Sequence, residues 1–168
     1  MTLVSRNARS FTTVLTLTLV MLAASAAPAL ADVTAFVGVS PTPHNHSLKG
    51  FGVGIGLLIV GFEFEYANIA EDTTEQLAGL KTYSANVLAQ TPVEIAGIQL
   101  YGTLGAEGYQ ERLGDASVTH FGTNIGGGAK IKLLGPLRVR VDYRILHLQG
   151  TPLNDTYQRF YVGANLKF

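Results

Sequence analysis

The chain has 168 residues with 12 Lys/Arg against 12 Asp/Glu, no cysteine and 47% hydrophobic residues. Balanced charge without a basic face excludes a nucleic-acid binder, and the absence of cysteine excludes disulfide stapling and thiolate metal sites. The length suits one domain.

The N-terminus carries Arg6 and Arg9, then an uncharged apolar stretch from Phe11 to Ala24, then Ala29-Leu-Ala31 before Asp32. A basic start, a short apolar run and an A-x-A site predict a secretory signal cleaved after Ala31. The run is interrupted by threonines and is shorter than the ~20 apolar residues a spanning helix needs. Residues 1–31 are thus read as the signal peptide and 32–168 as the mature domain. Losing 31 of 168 residues leaves 137, with ten Lys/Arg and twelve Asp/Glu. This remainder contains no apolar helix-length segment, so a membrane crossing would have to be made by strands of a closed barrel.

Period-2 alternation runs through most of the mature chain and predicts strands near 33–40, 50–58, 60–69, 80–90, 95–110, 117–133, 137–148 and 157–168. Polar connections at 41–49, 70–79, 111–116 and 149–156 alternate with tight joins around Ile59, at Thr91–Glu94 and at Gly135-Pro136. The join Leu57-Leu-Ile-Val-Gly61 lacks ordinary turn residues. Long and short connections in turn, with an even strand count, are the signature of a transmembrane β-barrel. The fold class is therefore all-β: an eight-stranded antiparallel transmembrane β-barrel after a cleaved signal peptide.

Parity sorts the faces. Phe51, Val53, Ile55 and Leu57 alternate with Gly52, Gly54 and Gly56, and Phe62, Phe64 and Tyr66 oppose Glu63 and Glu65. Phe121, Ile125, Ala129 and Ile131 oppose His120, Asn124, Lys130 and Lys132. Val139, Val141, Tyr143 and Ile145 oppose Arg138, Arg140, Asp142 and Arg144. The last strand sets Phe160, Val162, Ala164, Leu166 and Phe168 against Arg159, Tyr161, Gly163, Asn165 and Lys167. A Lys or Arg facing lipid at mid-depth costs ~2–4 kcal/mol, and no charge stands on the apolar face of these spans. A soluble barrel would show the same period with the apolar face inward. The all-glycine face of the second strand and the terminal Phe168 favour the membrane.

From Phe51 to Phe168 the chain resembles the small outer-membrane β-barrel superfamily that includes the OmpA transmembrane domain and OmpX-like proteins. Gly61-Phe-Glu-Phe-Glu-Tyr66, Gly126-Gly-Gly-Ala-Lys-Ile-Lys132, Leu137-Arg-Val-Arg-Val-Asp-Tyr-Arg144 and the terminal strand carry the likeness. The resemblance implies outer-membrane residence among outer-membrane lipids and insertion by the barrel assembly machinery through a C-terminal strand ending in Phe168. With the sequence stopping at Phe168, the peptidoglycan-binding domain of full-length OmpA proteins is expected to be absent. The fold hosts anchors, adhesins, conduits and a few lipid-modifying enzymes, so it does not fix function.

The candidate site is the lumen. Glu63, Glu65, Lys130, Lys132, Arg138, Arg140, Asp142, Arg144 and Lys167 are expected to form a polar network across a bore only wide enough for side chains. Pairing offsets the desolvation of such charges. A plug is favoured over an ion pathway, and the excess of cations predicts that some reach periplasmic water. His44 and His46 lie in a loop without a carboxylate and read as solvated rather than metal-binding. His147 is followed by Leu148-Gln-Gly150, where a lipid A deacylase of this fold has a Ser two residues on, so no His-activated nucleophile is drawn there. It reads as interfacial packing, and His120 as a polar lumen residue. Gly126–Gly128 lacks a P-loop Lys-Ser pair and opens no helix; glycines there serve curvature and packing. Tyr66, Tyr83, Tyr109, Phe121, Tyr143 and Phe160 are expected in interfacial girdles. The expectation is a monomeric, non-enzymatic barrel without cofactor, serving envelope integrity or surface interaction. A conduit or binding protein for small hydrophobic molecules, using a lateral opening between strands, is the alternative, and an enzyme acting on lipid A a more distant one.

Overall fold

In the computed structural model, residues 30–42, 45–71, 78–152 and 154–168 are described. The signal-peptide reading concerns residues 1–31 and lies outside them except for Leu30 and Ala31. Eight strands follow in order: β1 Leu30–Thr42, β2 His46–Leu57, β3 Val60–Ile69, β4 Gly79–Gln90, β5 Ile98–Leu113, β6 Ala116–Leu134, β7 Leu137–Leu148 and β8 Thr156–Lys167. Each pairs antiparallel with its sequence neighbours, and β1 pairs with β8 from Asp32↔Lys167 to Val39↔Phe160. The barrel is closed, so no edge is left with unpaired backbone groups.

Among the described residues no helix is long and apolar enough to cross a membrane. The strands show why none is needed. Outward side chains include Val37, Phe64, Leu104, Phe121 and Ile125, each more than half exposed. Inward neighbours one residue away, such as Glu63, Glu65, Glu107 and Asn124, are at most 3% exposed. Apolar surface turned outward and ionisable groups turned inward is the arrangement lipid demands.

Connections depart from the sequence expectation in instructive ways. The predicted loops at 41–49 and 111–116 are largely strand: β2 begins at His46, and β5 and β6 meet across the two-residue turn Gly114-Asp115. Polar residues there keep the period-2 pairing after the apolar belt has ended, so polarity marked the membrane boundary and not the strand end. The join expected to be tight at Thr91–Glu94 instead spans 91–97. An Ile95↔Ile98 bridge and left-handed Ala96 and Gly97 turn the chain into β5 three residues later than expected. The doubtful join near Ile59 is a genuine two-residue turn, with Leu58 held at φ 50°. A left-handed β-branched or bulky residue is strained, and the continuous ladder on both sides, Gly56↔Gly61 and Leu57↔Val60, holds it there. Gly135, at φ 54°, makes the expected turn between β6 and β7.

Both described termini and the turns 58–59, 91–97 and 135–136 share one end of the barrel, the turn end. The strand ends at Thr42 and His46, at Ile69 and Gly79, and at Leu148 and Thr156 share the other, the loop end, with the turn 114–115.

Candidate functional site

The lumen divides into two stacked layers. The lower one, nearer the turn end, is built on a pair of strands whose alternation aims charge inward. β3 contributes Glu63 and Glu65, and β7 contributes Arg138, Arg140, Asp142 and Arg144 from across the bore. Arg140 and Arg144 are fully buried and share the carboxylates between them. Arg140 pairs with Glu63 and, at 3.1 Å, with Asp142. Arg144 reaches Glu63 at 2.8 Å, Glu65 at 3.1 Å and Asp142 at 2.9 Å. Arg159 of β8 closes the set on Glu65, so three guanidiniums meet three carboxylates. Tyr101 donates to Asp142 and accepts from the Arg140 Nε at 2.7 Å, while Tyr161 donates to Glu65 at 3.1 Å. The Arg140 guanidinium also lies over the Tyr101 and Tyr161 rings, at 4.8 and 5.7 Å from their centroids. Hydrogen bonds to the remaining lone pairs are what make a buried ion network tolerable.

Toward the turn end the pairing continues. Lys130 pairs with Asp32, and Arg138 pairs with Glu94 while donating to Gln99 at 3.0 Å. Glu94 arrives from the connection 91–97, which folds it into the mouth, where Lys167 stands 3.8 Å away. Between Asp32, Gly54, Glu63, Leu88, Gln90 and Lys130 only about 10 Å³ stays open, on the order of a single water.

Large inward side chains need room, and glycines supply it. A Cβ on Gly128 would stand 2.6 Å from the Tyr101 hydroxyl, one on Gly126 2.8 Å from the Arg144 Cγ, and one on Gly163 2.8 Å from the Phe36 Cβ. Gly126 and Gly128, the inward members of the glycine run, thus form the hollow that receives Arg144 and Tyr101. Phe36 stacks on Tyr161 at 4.0 Å and caps the ionic layer.

Above it the lumen becomes apolar. Leu48, Ala67, Ile69, Leu80, Leu146 and Leu148 all point inward, are at most 4% exposed and form one cluster with Phe36, Tyr109, Tyr157 and Tyr161. At its polar fringe Tyr157 donates to Glu111 at 2.8 Å and Tyr109 to the Gln149 carbonyl at 2.6 Å. To one side Glu107 accepts from Ser84 at 3.2 Å and from Asn124 at 3.4 Å.

Eight of the nine lumen residues expected from sequence line the bore or its mouth, Lys167 being part-exposed there. Lys132 is the exception: it shares the inward parity but sits beyond the ionic layer at the end of β6, exposed to solvent. Tyr109, expected in a girdle, faces the interior because it shares parity with Glu107 and Glu111. The other five girdle residues face outward. His46 is not a solvated loop residue: it opens β2, is buried, and its Nδ1–H donates to the Ala70 carbonyl at 2.8 Å. His44 lies outside the described residues. His120 leans on Tyr109, ring to ring at 6.3 Å, and exposed His147 lies 3.3 Å from the Thr156 hydroxyl on the outer rim. The sequence reading missed Asp32, Tyr101 and the role of Arg159 in the ion network, and the whole apolar layer. Parity would have found Leu146 and Leu148, which continue the Arg140–Arg144 face.

A family model described as an outer membrane protein beta-barrel domain matches residues 13–168. Among solved structures, the N-terminal β-barrel domain of Pseudomonas aeruginosa OprF is similar at 14% identity and a TM-score of 0.61, over 83% of this chain and 97% of that one. Neisserial surface protein A is similar at 13% identity and 0.60, over 83% and 96%. Ail of Yersinia pestis, crystallised with the heparin analogue sucrose octasulfate, is similar at 16% identity and 0.55, over 83% and 99%. At such identities the likeness is one of fold. No curated protein sequence matches the chain.

Proposed function

This chain belongs to the outer membrane protein β-barrel domain family, and on that premise we propose that it is a closed, non-conducting and non-enzymatic barrel of the outer membrane, serving envelope integrity or surface interaction. The observation that carries this reading is the doubly filled bore: an ionic layer of Arg140, Arg144 and Arg159 against Glu63, Glu65 and Asp142, capped by a leucine-rich layer. An aqueous path would have to break several buried ion pairs and then wet an apolar plug. Each step is costly: the charges lose partners, and the leucines gain only water. The continuous pairing of all eight strands argues equally against a lateral conduit, since an opening would expose backbone groups to lipid.

The protein on this reading works through its outer surfaces, as a monomer held by outer-membrane lipids. It reaches the membrane by cleavage after Ala31 and insertion by the barrel assembly machinery through β8 and Phe168. Cleavage there removes Leu30 and Ala31 from β1 and leaves Asp32 and its Lys130 partner in place. Planar-bilayer recording of the purified, folded chain tests the closed bore: the expected trace is flat, and stable, large unitary openings would overturn it. Intact-mass measurement of the membrane-extracted protein tests the processing, with Asp32 expected as its first residue.

A further inference from the structure

We propose that the outer wall across β2–β6, near the loop end, is a binding site for a phosphorylated, multiply acylated lipid of the outer leaflet. The inference uses the membrane placement of the barrel and is independent of whether the bore is closed.

Two observations meet on this wall. The first is an apolar groove of about 650 Å³. Its floor is made of residues with little or no side chain: Gly108, and the facing pair Ala85 and Ala106. One flank is a row of rings on adjacent strands, Phe51 to Tyr66 at 5.6 Å and Tyr66 to Tyr83 at 5.1 Å. The other flank is Phe121, which pairs across Gly108. A belt that merely faced fluid lipid has no reason to be hollow, whereas a hollow between rings fits acyl chain.

The second is charge. Among the described strand residues, every Asp, Glu, Lys or Arg on the outer face is a cation: Lys49, Lys81 and Arg112, all exposed. All three stand at the loop end, on β2, β4 and β5; Lys81 and Arg112 share a polar hollow with Glu71 and Asp115 of the connections, so the three cations outnumber the carboxylates around them by one. Lys81 and Lys49 flank Asn68 in one cross-strand row, with Gln110 beyond Lys81. Strand spacing puts the two lysines roughly 10 Å apart. That row lies one step along the strands from Phe51, Tyr66, Tyr83 and Gly108, roughly 7 Å away on the same face. A ligand filling both parts must be greasy below and anionic above. Cations at this height meet the headgroup region, where each adds attraction to an anionic lipid. A phosphorylated lipid with several chains has this division of chemistry; a free phosphate would leave the groove empty.

The structure also supplies clean variants. A Cβ at Gly108 meets nothing within 4 Å, so Gly108→Leu fills the groove without touching the bore. The triple change Lys49→Gln, Lys81→Gln, Arg112→Gln removes the charge and leaves the groove. The full chain in detergent is titrated by native mass spectrometry with lipid A, with its dephosphorylated form, and with lipid A in excess inorganic phosphate. Heat-modifiable gel migration confirms in parallel that each variant is a folded barrel. The expected result is retention of lipid A roughly tenfold stronger than of the dephosphorylated lipid, with both variants reduced to the weaker level. Equal retention of the two lipids would overturn the proposal. So would a Gly108→Leu protein that binds as the parent does, or complete displacement by inorganic phosphate, which would assign the rim to a free anion.

Discussion

The two halves of the bore fill the same narrow cylinder by opposite means. The lower half uses Arg140, Arg144 and Arg159 with Glu63, Glu65 and Asp142, each held by several partners whose removal leaves a charge stranded. The upper half uses Leu48, Leu80, Leu146 and Leu148, which contribute by contact alone. Their failure modes therefore differ. An ionic layer is intolerant of losing one member, whereas an apolar layer responds to volume alone and ignores charge balance.

The sharpest way to break the contrast is Arg144→Met, which leaves Glu63, Glu65 and Asp142 short of a cation. A loss of about 3–5 kcal/mol is expected in urea unfolding of the detergent-solubilised protein. Replacing Arg159 by Met together with Glu65 by Gln is expected to cost less than Arg159→Met alone, because the pair leaves together. In the apolar layer Leu146→Ala is expected to cost about 3 kcal/mol through the cavity it opens, and the bilayer trace stays flat because the ionic layer beneath is intact. Overpacking comes next: Gly128→Ala pushes a methyl onto the Val141 backbone carbonyl as well as onto Tyr101, and is expected to cost about 1–3 kcal/mol in the same assay. Lys132→Ala, outside both layers, should change stability by no more than about 0.5 kcal/mol. A large effect there would extend the ionic layer to the end of β6.

Those differences track what the sequence made legible. The ionic half was readable because charge on a strand of alternating greasy residues has one place to go: Glu63, Glu65, Arg138, Arg140, Asp142 and Arg144 could be assigned inward by parity alone. The apolar half was not, because the rule that greasy residues face lipid misplaces Leu80 or Leu146, whose inward direction shows only when each strand's parity is carried to its end. Strand number and most boundaries followed from the alternation. Partners across the bore did not. Which Arg meets which Glu depends on the stagger of the closed sheet, and no local pattern in one sequence encodes that. Arg159, correctly placed on the polar face, thus gained its role against Glu65 only from the closed geometry. His46 shows the converse: its polar surroundings read as loop, yet the ladder carries on through it.

Leucine seals the upper half of the bore, toward the loop end, and the lack of any native cysteine allows this to be probed at a single atom. Leu48→Cys, reconstituted in liposomes, is treated with a membrane-impermeant maleimide on the outside and, in a parallel sample, on both sides. The thiol is expected to stay unlabelled until the barrel is unfolded, while a control cysteine at Asp115 in the exposed turn labels at once. Prompt labelling of Leu48→Cys in the folded protein would show water at the heart of the plug and contradict the closed lumen.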